Sequence, residues 1–368
     1  MDGLTAVLFV LGLALLIIGA ELLVRGASGL ASRIGLSPLV IGLTVVAYGT
    51  SAPELAISAS AALSGEADLA VGNVIGSNIF NILFVLGLSA TIAPLLVSQQ
   101  LVRIDVPIMI AASSLLLLFA WDGNLNRTEG VLLFSGALLY TGFAIWQSRR
   151  EREEIREEYD QAFGSDRDSS GRMQTLPIQL ASVVIGLVLL VLGARWLVNG
   201  AVEVAQALGI SELVIGLTIL AVGTSLPEVA TSIIAALRGE RDIAVGNLVG
   251  SNISNILIIL GAAGMLSPDA IAIAPGVRNF DLPVMIAVAL ACLPIFVTGR
   301  LIGRWEGLLF FGYYIAYTAY LILDASGHDI LDAYSRIMLT FVVPLTALTL
   351  LFVTVQTVRG VFRSQPPT

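Results

Sequence analysis

The chain has 368 residues, of which 57% are hydrophobic and only 12% are charged, and its mean hydropathy is +0.91. A soluble domain of this size could not bury so much apolar surface, so the composition excludes a soluble globular protein and indicates a membrane protein. The net charge is −8 and all 19 basic residues are arginine, which is typical of a high-salt or GC-rich prokaryote and predicts no nucleic-acid partner.

Eleven apolar segments follow one another along the chain, and each is long enough to cross a hydrocarbon layer of about 30 Å. The first begins directly after Met1 to Gly3 without a basic region or a small-residue cleavage site, which favours a retained helix over a signal peptide. Segments five and six are separated by a polar linker that opens with the mixed-charge helical pattern RREREEIREEYD. The segments are 4–24, 36–63, 69–93, 104–121, 129–147, 177–199, 210–237, 243–266, 281–299, 305–323 and 336–358.

An internal repeat relates the two halves of the chain. The stretch that begins at Leu39 recurs from Leu213, a shift of 174 residues, so that GTSAPE at 49–54 becomes GTSLPE at 223–228. In the same way GNVIGSNIFN at 72–81 becomes GNLVGSNISN at 246–255. The repeat unit contains five segments, and the eleventh segment lies outside it.

Because five is an odd number, the second copy must cross the membrane in the opposite direction to the first. The arginines support this inversion, since 15 of the 19 fall in loops on one side when the N-terminus is placed outside. The sequence therefore predicts an all-α polytopic membrane protein with two inverted five-helix repeats, which form a ten-helix core, plus an eleventh C-terminal helix. The predicted parts are 1–147 for the first repeat, 148–176 for a cytoplasmic linker, 177–324 for the second repeat and 325–368 for the last helix and tail.

Two acidic residues, Glu54 and Glu228, occupy equivalent positions near the middle of the membrane. A carboxylate at that depth costs about 3 kcal/mol or more, and neither residue has a basic neighbour in the sequence, so a bound cation is the expected partner. Pro53 and Pro227 lack an N–H and therefore break the helix directly before each acid. Backbone carbonyls at such a break can turn towards a cavity and act as ligands.

The third and eighth segments place further polar groups at helical spacing. Ser77 and Asn81 share one helix face, and Ser251 and Asn255 share the equivalent face. Asn78 lies about 100° from that face, as does its equivalent Asn252, which favours a packing role. A purely structural role in interhelical hydrogen bonding is the competing interpretation for each Ser and Asn.

The chemistry of these residues is limited to oxygen. Cys292 lies in an apolar run and His328 lies in a polar loop, so soft metals such as Zn²⁺ are not expected. Carboxylates, hydroxyls, amides and carbonyls suit Ca²⁺ and Na⁺, and from these residues alone the choice of hard cation stays open. We expect no cofactor, and no enzyme, because no nucleophile–base pair is evident.

The paired motifs resemble the α-repeats of the cation/Ca²⁺ exchanger superfamily, and within it the prokaryotic Na⁺/Ca²⁺ exchangers. The resemblance covers residues 4 to about 324 and implies that helices one and six slide past the core to alternate access. It also implies a set of ion ligands, at the positions Ala47, Thr50, Ser51, Glu54, Ser77, Asn81, Ala221, Thr224, Ser225, Glu228, Ser251 and Asn255. Some members of the superfamily carry Asp where this chain has Asn255, so the site here has two formal negative charges, and the identity of the counter-ion is less fixed.

The resemblance implies electrogenic exchange of Na⁺ for Ca²⁺ across the plasma membrane of a prokaryote. The arginine distribution predicts that the N-terminus lies outside and the C-terminus in the cytoplasm. One Ca²⁺ would neutralise two carboxylates, whereas three Na⁺ would leave a charge of +1. A Ca²⁺/H⁺ or other cation/H⁺ exchanger is the first alternative, and a cation channel is the second. Because protons and metal cations compete for the same two neighbouring carboxylates, we also predict inhibition of transport at acidic pH.

Overall fold

The computed structural model describes residues 3–163, 176–210, 215, 218–219, 221–297, 300–349, 351 and 355, and the side chains of all of these except 3, 67–68, 151–163 and 221. Within these residues, nine helices are long and apolar enough to cross a membrane, and a helix pair bent by 49° provides a tenth span. The fold class predicted from the sequence is therefore confirmed.

The first half of the chain contains six helices and two short strands. In chain order they are α1 (Gly3–Ile34), α2 (Pro38–Thr50), α3 (Ala52–Ser64), α4 (Leu69–Ile92), β1 (Leu95–Leu96), α5 (Leu101–Asp122), β2 (Asn124–Leu125) and α6 (Arg127–Phe163).

The second half repeats this order and ends with one additional helix. Its elements are α7 (Leu176–Ala207), a helical turn (Ala221–Gly223), α8 (Leu226–Leu237), α9 (Arg241–Leu266), β3 (Ile271–Ala272), α10 (Val277–Val297), β4 (Leu301–Ile302), α11 (Arg304–Ala325) and α12 (Leu331–Thr349).

The predicted segments correspond to these helices, with differences at their ends. Helix α1 runs ten residues beyond the predicted end at 24 and stops at Gly35, whose φ of 76° is a left-handed conformation that suits glycine. Helix α6 continues to Phe163, as the mixed-charge pattern after 149 indicates. Of the seventh segment, the structure describes chiefly the part from Ala221 onward.

The two halves are joined by contacts that occur in equivalent pairs. Strand β1 pairs with β4, and β2 pairs with β3, both antiparallel. The end of α4 packs on α11 and the end of α9 packs on α6. Both packings need glycine: a Cβ on Gly87 would lie 2.8 Å from the carbonyl oxygen of Gly307, and one on Gly130 would lie 3.0 Å from that of Gly261.

The interior of the protein is formed by α2, α3, α4, α8 and α9, and α9 is almost entirely enclosed by protein. Helices α1 and α7 lie side by side along most of their length and cover one face of this core. Helix α12 lies outside the core and contacts α11 through Tyr313, whose hydroxyl lies 2.6 Å from that of Thr346. The repeats therefore place the four motif-bearing spans at the centre.

Candidate cation site

Each half breaks one helix directly before its buried acid. In the first half the break is at Ser51 (φ −81°, ψ 9°), and Pro53 occupies the first turn of α3. In the second half Ser225 has nearly the same backbone angles (φ −90°, ψ 8°), and Pro227 occupies the first turn of α8. Since proline cannot donate the next helical hydrogen bond, the same sequence pattern produces the same break twice, as predicted.

The two acids are buried and are held by the opposite halves of the molecule. Glu54 and Glu228 are each only 1% exposed. Ser225 Oγ donates to Glu54 Oε1 at 3.0 Å, and Ser51 Oγ donates to Glu228 Oε1 at 3.0 Å. Each carboxylate therefore packs against the broken helix of the other repeat, and the acids meet at the interface between the halves.

Neither acid is neutralised by a base within the described residues. No ion pair found there involves Glu54 or Glu228, and the pairs of Glu21 with Arg25 and Arg238 lie elsewhere. The second oxygen of each carboxylate, Glu54 Oε2 and Glu228 Oε2, is buried and accepts no hydrogen bond from any described group. A buried carboxylate oxygen without a donor is costly unless a cation takes that place.

Helices α4 and α9 add a second layer of oxygens. A π-helical turn begins at Asn81 in α4 and another at Asn255 in α9, a feature that is frequent at functional sites. Asn81 Nδ2 donates to Asn252 Oδ1 at 3.1 Å, and Asn255 Nδ2 donates to Asn78 Oδ1 at 3.0 Å. Because both amide nitrogens are engaged in this way, the carbonyl oxygens of Asn81 and Asn255 stay buried without a partner among described atoms.

Asn78 and Asn252 play the packing role that the sequence predicts for them. Asn78 Nδ2 donates to the backbone oxygen of Asn252 at 3.2 Å, and Asn252 Nδ2 donates to that of Asn78 at 3.1 Å. This reciprocal pair joins α4 to α9 and fixes the orientation of Asn81 and Asn255.

The remaining predicted ligands lie near the same centre. Ser77 Oγ is 3.3 Å from Ser225 Oγ, and the hydroxyls of Thr224 and Ser251 are buried without a hydrogen-bond partner among the described atoms.

The backbone candidates are placed as follows. The carbonyl oxygen of Ala47 accepts a hydrogen bond from Ser51 N at 3.0 Å, and Thr50 is fully buried beside it. Ala221 begins the short helical turn before the second break, and its side chain is outside the described part.

The sequence places Asn73 and Asn247 one turn along the ligand face from Ser77 and Ser251, but it does not reveal the two serines with which they pair. Asn247 Nδ2 donates to Ser232 Oγ at 3.0 Å, and Asn73 Nδ2 donates to Ser58 Oγ at 3.1 Å. Thr50 Oγ1 also donates to Asn247 Oδ1 at 3.1 Å, which ties the first broken helix to α9. The spacing could have revealed these serines, since each lies four residues after its acid in both copies.

The donor set determines the ion chemistry. Among the described residues, no three or more of His, Cys, Asp and Glu lie close enough together to hold a metal ion. The centre instead combines two carboxylates with neutral hydroxyl and amide oxygens. Such a set of oxygens suits a hard cation that is bound reversibly during transport better than a permanently bound metal ion. Inverted halves that break a helix around such a centre define a secondary membrane transporter.

Comparison with known proteins identifies the family. The sequence model described as sodium/calcium exchanger protein matches residues 4–146 and 178–323, and the chain belongs to this family.

Individual relatives agree with this assignment. The chain is 41% identical to a putative antiporter, CaxA, of Alkalimonas amylolytica, over 88% of this chain and 100% of the relative. It is 35% identical to the sodium/calcium exchanger MaX1 of Methanosarcina acetivorans, over 85% of this chain and 97% of the relative. Among solved structures, the sodium-calcium exchanger NCX_Mj soaked with Na⁺ and Ca²⁺ superimposes with a TM-score of 0.73 at 32% identity, covering 87% of this chain and 99% of that one.

Proposed function

We propose that this protein exchanges Na⁺ for Ca²⁺ across the membrane by alternating access, with both ions competing for the space between Glu54 and Glu228. The first ligands are the carboxylates, supplemented by the oxygens of Ser77, Asn81 and their equivalents. The proposal also includes the carbonyls at the two helix breaks as ligands.

One observation carries this proposal. Two acids that are each 1% exposed, one from each half, retain a carboxylate oxygen that accepts no hydrogen bond within the described structure. A site with two negative charges is neutralised by one divalent cation, so binding of Ca²⁺ balances the charge inside a low-dielectric interior.

The additional oxygens favour a site that can accept either cation. Ca²⁺ takes about six to eight oxygens at about 2.3–2.6 Å. Two carboxylates supply up to four, and the unpartnered amide oxygens of Asn81 and Asn255 supply two more. Several Na⁺ ions would share these ligands and would also be coordinated by the hydroxyls of Ser77 and Ser251. Because Ca²⁺ and Na⁺ need the same two carboxylates, their binding is mutually exclusive.

Sodium is the proposed counter-ion because relatives that are similar along nearly their whole length, MaX1 and NCX_Mj, are sodium/calcium exchangers by name. Exchange against protons is the alternative, since the same two carboxylates can bind H⁺. Asn255 bears on this choice, because a neutral amide at that position leaves the number of titratable groups in the centre at two.

The experiment is ⁴⁵Ca²⁺ uptake into proteoliposomes that contain the purified full-length chain. Vesicles are loaded with Na⁺ and diluted into Na⁺-free medium, and matched vesicles have equal Na⁺ on both sides. Uptake is expected only with the outward Na⁺ gradient, and a K⁺ diffusion potential should change its rate, because exchange of three Na⁺ for one Ca²⁺ moves charge.

Two additional arms separate the alternatives. If a pH gradient imposed in the absence of Na⁺ drives equal Ca²⁺ uptake, the counter-ion is H⁺ and not Na⁺. Uptake that follows the Ca²⁺ gradient alone, without any counter-ion, would indicate a channel and would overturn the exchange mechanism.

We place the protein in the plasma membrane with its N-terminus outside and its C-terminus in the cytoplasm. The arginine-rich loops, including that of Arg238, would then lie inside. Modification of single cysteines by a membrane-impermeant maleimide tests this placement: one at exposed Glu66 should react in intact cells, and one at Arg33 only after lysis.

A further inference from the structure

The contacts of the core obey the repeat symmetry, whereas those of α1 and α7 do not. Helix α3 packs against the end of α9 just as α8 packs against the end of α4. However, α1 packs closely along α8, and the equivalent pair, α7 and α3, shows no comparable packing in the described structure. Among the helices that the structure describes in both halves, the α1–α7 pair is therefore placed asymmetrically relative to the core.

Exposure of equivalent residues shows the same asymmetry beside the acids. Pro227 is buried, but its equivalent Pro53 is partly exposed. Ala230 is partly covered, whereas Ala56 is exposed. The broken helix is therefore more covered at one end of the molecule, which we call the Arg238 side, than at the opposite end, the Glu66 side.

Charged residues hold α1 on the Arg238 side. Glu21 on α1 forms an ion pair with Arg238, which follows α8, and a second with Arg25 on its own helix at 2.5 Å. About two turns after Glu21 on α1, Ser28 Oγ donates to Glu240 Oε1 at 2.8 Å. The loop that joins α8 to α9, the two helices with Glu228 and Ser251, is thus tied to α1 at two points.

The other repeat cannot form the same ties. The equivalent of Glu21 is Arg195, and the equivalent of Arg238 is Ser64. Val202 stands where Ser28 stands in α1 and has no hydroxyl. Closure of the Glu66 side would therefore lack both the Glu–Arg pair and the Ser–Glu hydrogen bond.

We propose that Glu21, Arg238, Ser28 and Glu240 form an electrostatic latch that fastens α1 to the α8–α9 loop, holds the Arg238 side closed and biases the resting transporter towards the state open on the Glu66 side. The backbone contacts of Gly19 on α1 with Gly186 on α7 make the two helices move together. Release of α1 from α8 therefore brings α7 towards α3. The latch assumes the alternating access proposed above but not the identity of the ions.

The test is hydrogen–deuterium exchange of the full-length protein in lipid nanodiscs, without Na⁺ or Ca²⁺. In Glu21→Gln and in Arg238→Gln, backbone amides of α8 and residues 238–241 should exchange faster, and those of α3 should exchange more slowly. Exchange in α8 should rise roughly twofold to fivefold, because partly exposed ion pairs bias an equilibrium by that order. The slowing in α3 should be smaller, because the state open on the Glu66 side stays populated. The opposite changes in two helices report a shift between two states.

The control is Arg33→Gln, which removes the same charge from an exposed position at the end of α1 and should leave both helices unchanged. The double variant with Glu21→Arg and Arg238→Glu should restore the parent pattern, which also shows that the fold is intact. Faster exchange in α8 without slower exchange in α3 would mean simple loosening and would overturn the latch, as would no change in either helix. Loss of Na⁺-driven uptake with normal exchange shifts would concern the proposed ion chemistry and not the latch.

Discussion

Removal of one charge from the centre should affect the two cations unequally. The change is Glu54→Gln, with Glu228→Gln as its equivalent in the other half. Gln keeps the shape of the side chain and one carbonyl oxygen, so the loss is chiefly electrostatic. Because the two acids have equal burial and equivalent hydrogen bonds, at 3.0 Å from Ser225 and Ser51, the two variants should behave alike.

The magnitude follows from the charges involved. Two unit charges about 4 Å apart interact by about 4 kcal/mol at an effective dielectric constant of about 20. Without one carboxylate charge, a divalent ion therefore loses about 8 kcal/mol of electrostatic attraction to the site, and a monovalent ion loses about half of that. Solvent and the remaining amide oxygen reduce both values. We therefore expect Ca²⁺ binding to weaken by at least about a thousandfold, and binding of each Na⁺ to weaken considerably less.

The assay is isothermal titration of the purified variants with Ca²⁺ and with Na⁺, together with Na⁺-driven ⁴⁵Ca²⁺ uptake. Glu66→Gln is the matched control, since it removes a carboxylate from the exposed loop between α3 and α4 and should bind and transport normally. If a monodisperse Glu54→Gln protein bound Ca²⁺ within tenfold of the parent, the buried pair would not be the site and the charge argument would fail.

Two further predictions concern the same residues and a second buried acid. Na⁺-driven Ca²⁺ uptake should decline as the pH is lowered from about 8 to about 5.5, since protons compete for the two central carboxylates; a flat profile would refute this. Tyr140→Phe should destabilise the protein by about 1–2 kcal/mol in thermal unfolding, because its hydroxyl donates to fully buried Asp105 at 3.0 Å. Tyr317→Phe, which removes the equivalent bond to half-buried Asp281, should cost less, and equal costs would contradict the role of burial.

The repeat made much of this architecture predictable. Proline four residues after the motif glycine cannot donate to the carbonyl of that glycine, so the breaks at Ser51 and Ser225 follow from local chemistry alone. The twofold occurrence of the motif with an odd number of spans also fixes the inverted order of the halves. Helix ends were less predictable, as α1 shows, because a helix does not stop where the hydrocarbon layer stops.

The pairing of groups across the halves could not be read from the sequence. The motif indicates that Ser51 and Glu54 lie together, but the hydroxyl of Ser51 donates to Glu228, 177 residues away. Likewise, Asn78 and Asn252 could be placed only off the ligand face, whereas the structure shows that they bond reciprocally. Such contacts depend on the angle and position at which two spans from opposite halves cross, and these are set by the packing of their side chains.

The sequence by itself determined the class of the protein, its spans, its inverted repeats and the oxygen chemistry of its centre, because apolar length, proline geometry and the cost of a buried charge act locally. Only the tertiary structure decided which half holds which carboxylate and which of the two broken helices α1 or α7 packs along. The motif segments of the two copies are nearly equal in sequence, but the ties between α1 and the α8–α9 loop use Glu21 and Arg238, which have no equivalents in the other half. These two residues are 217 positions apart in the chain, so only the packing of the helices shows that they meet.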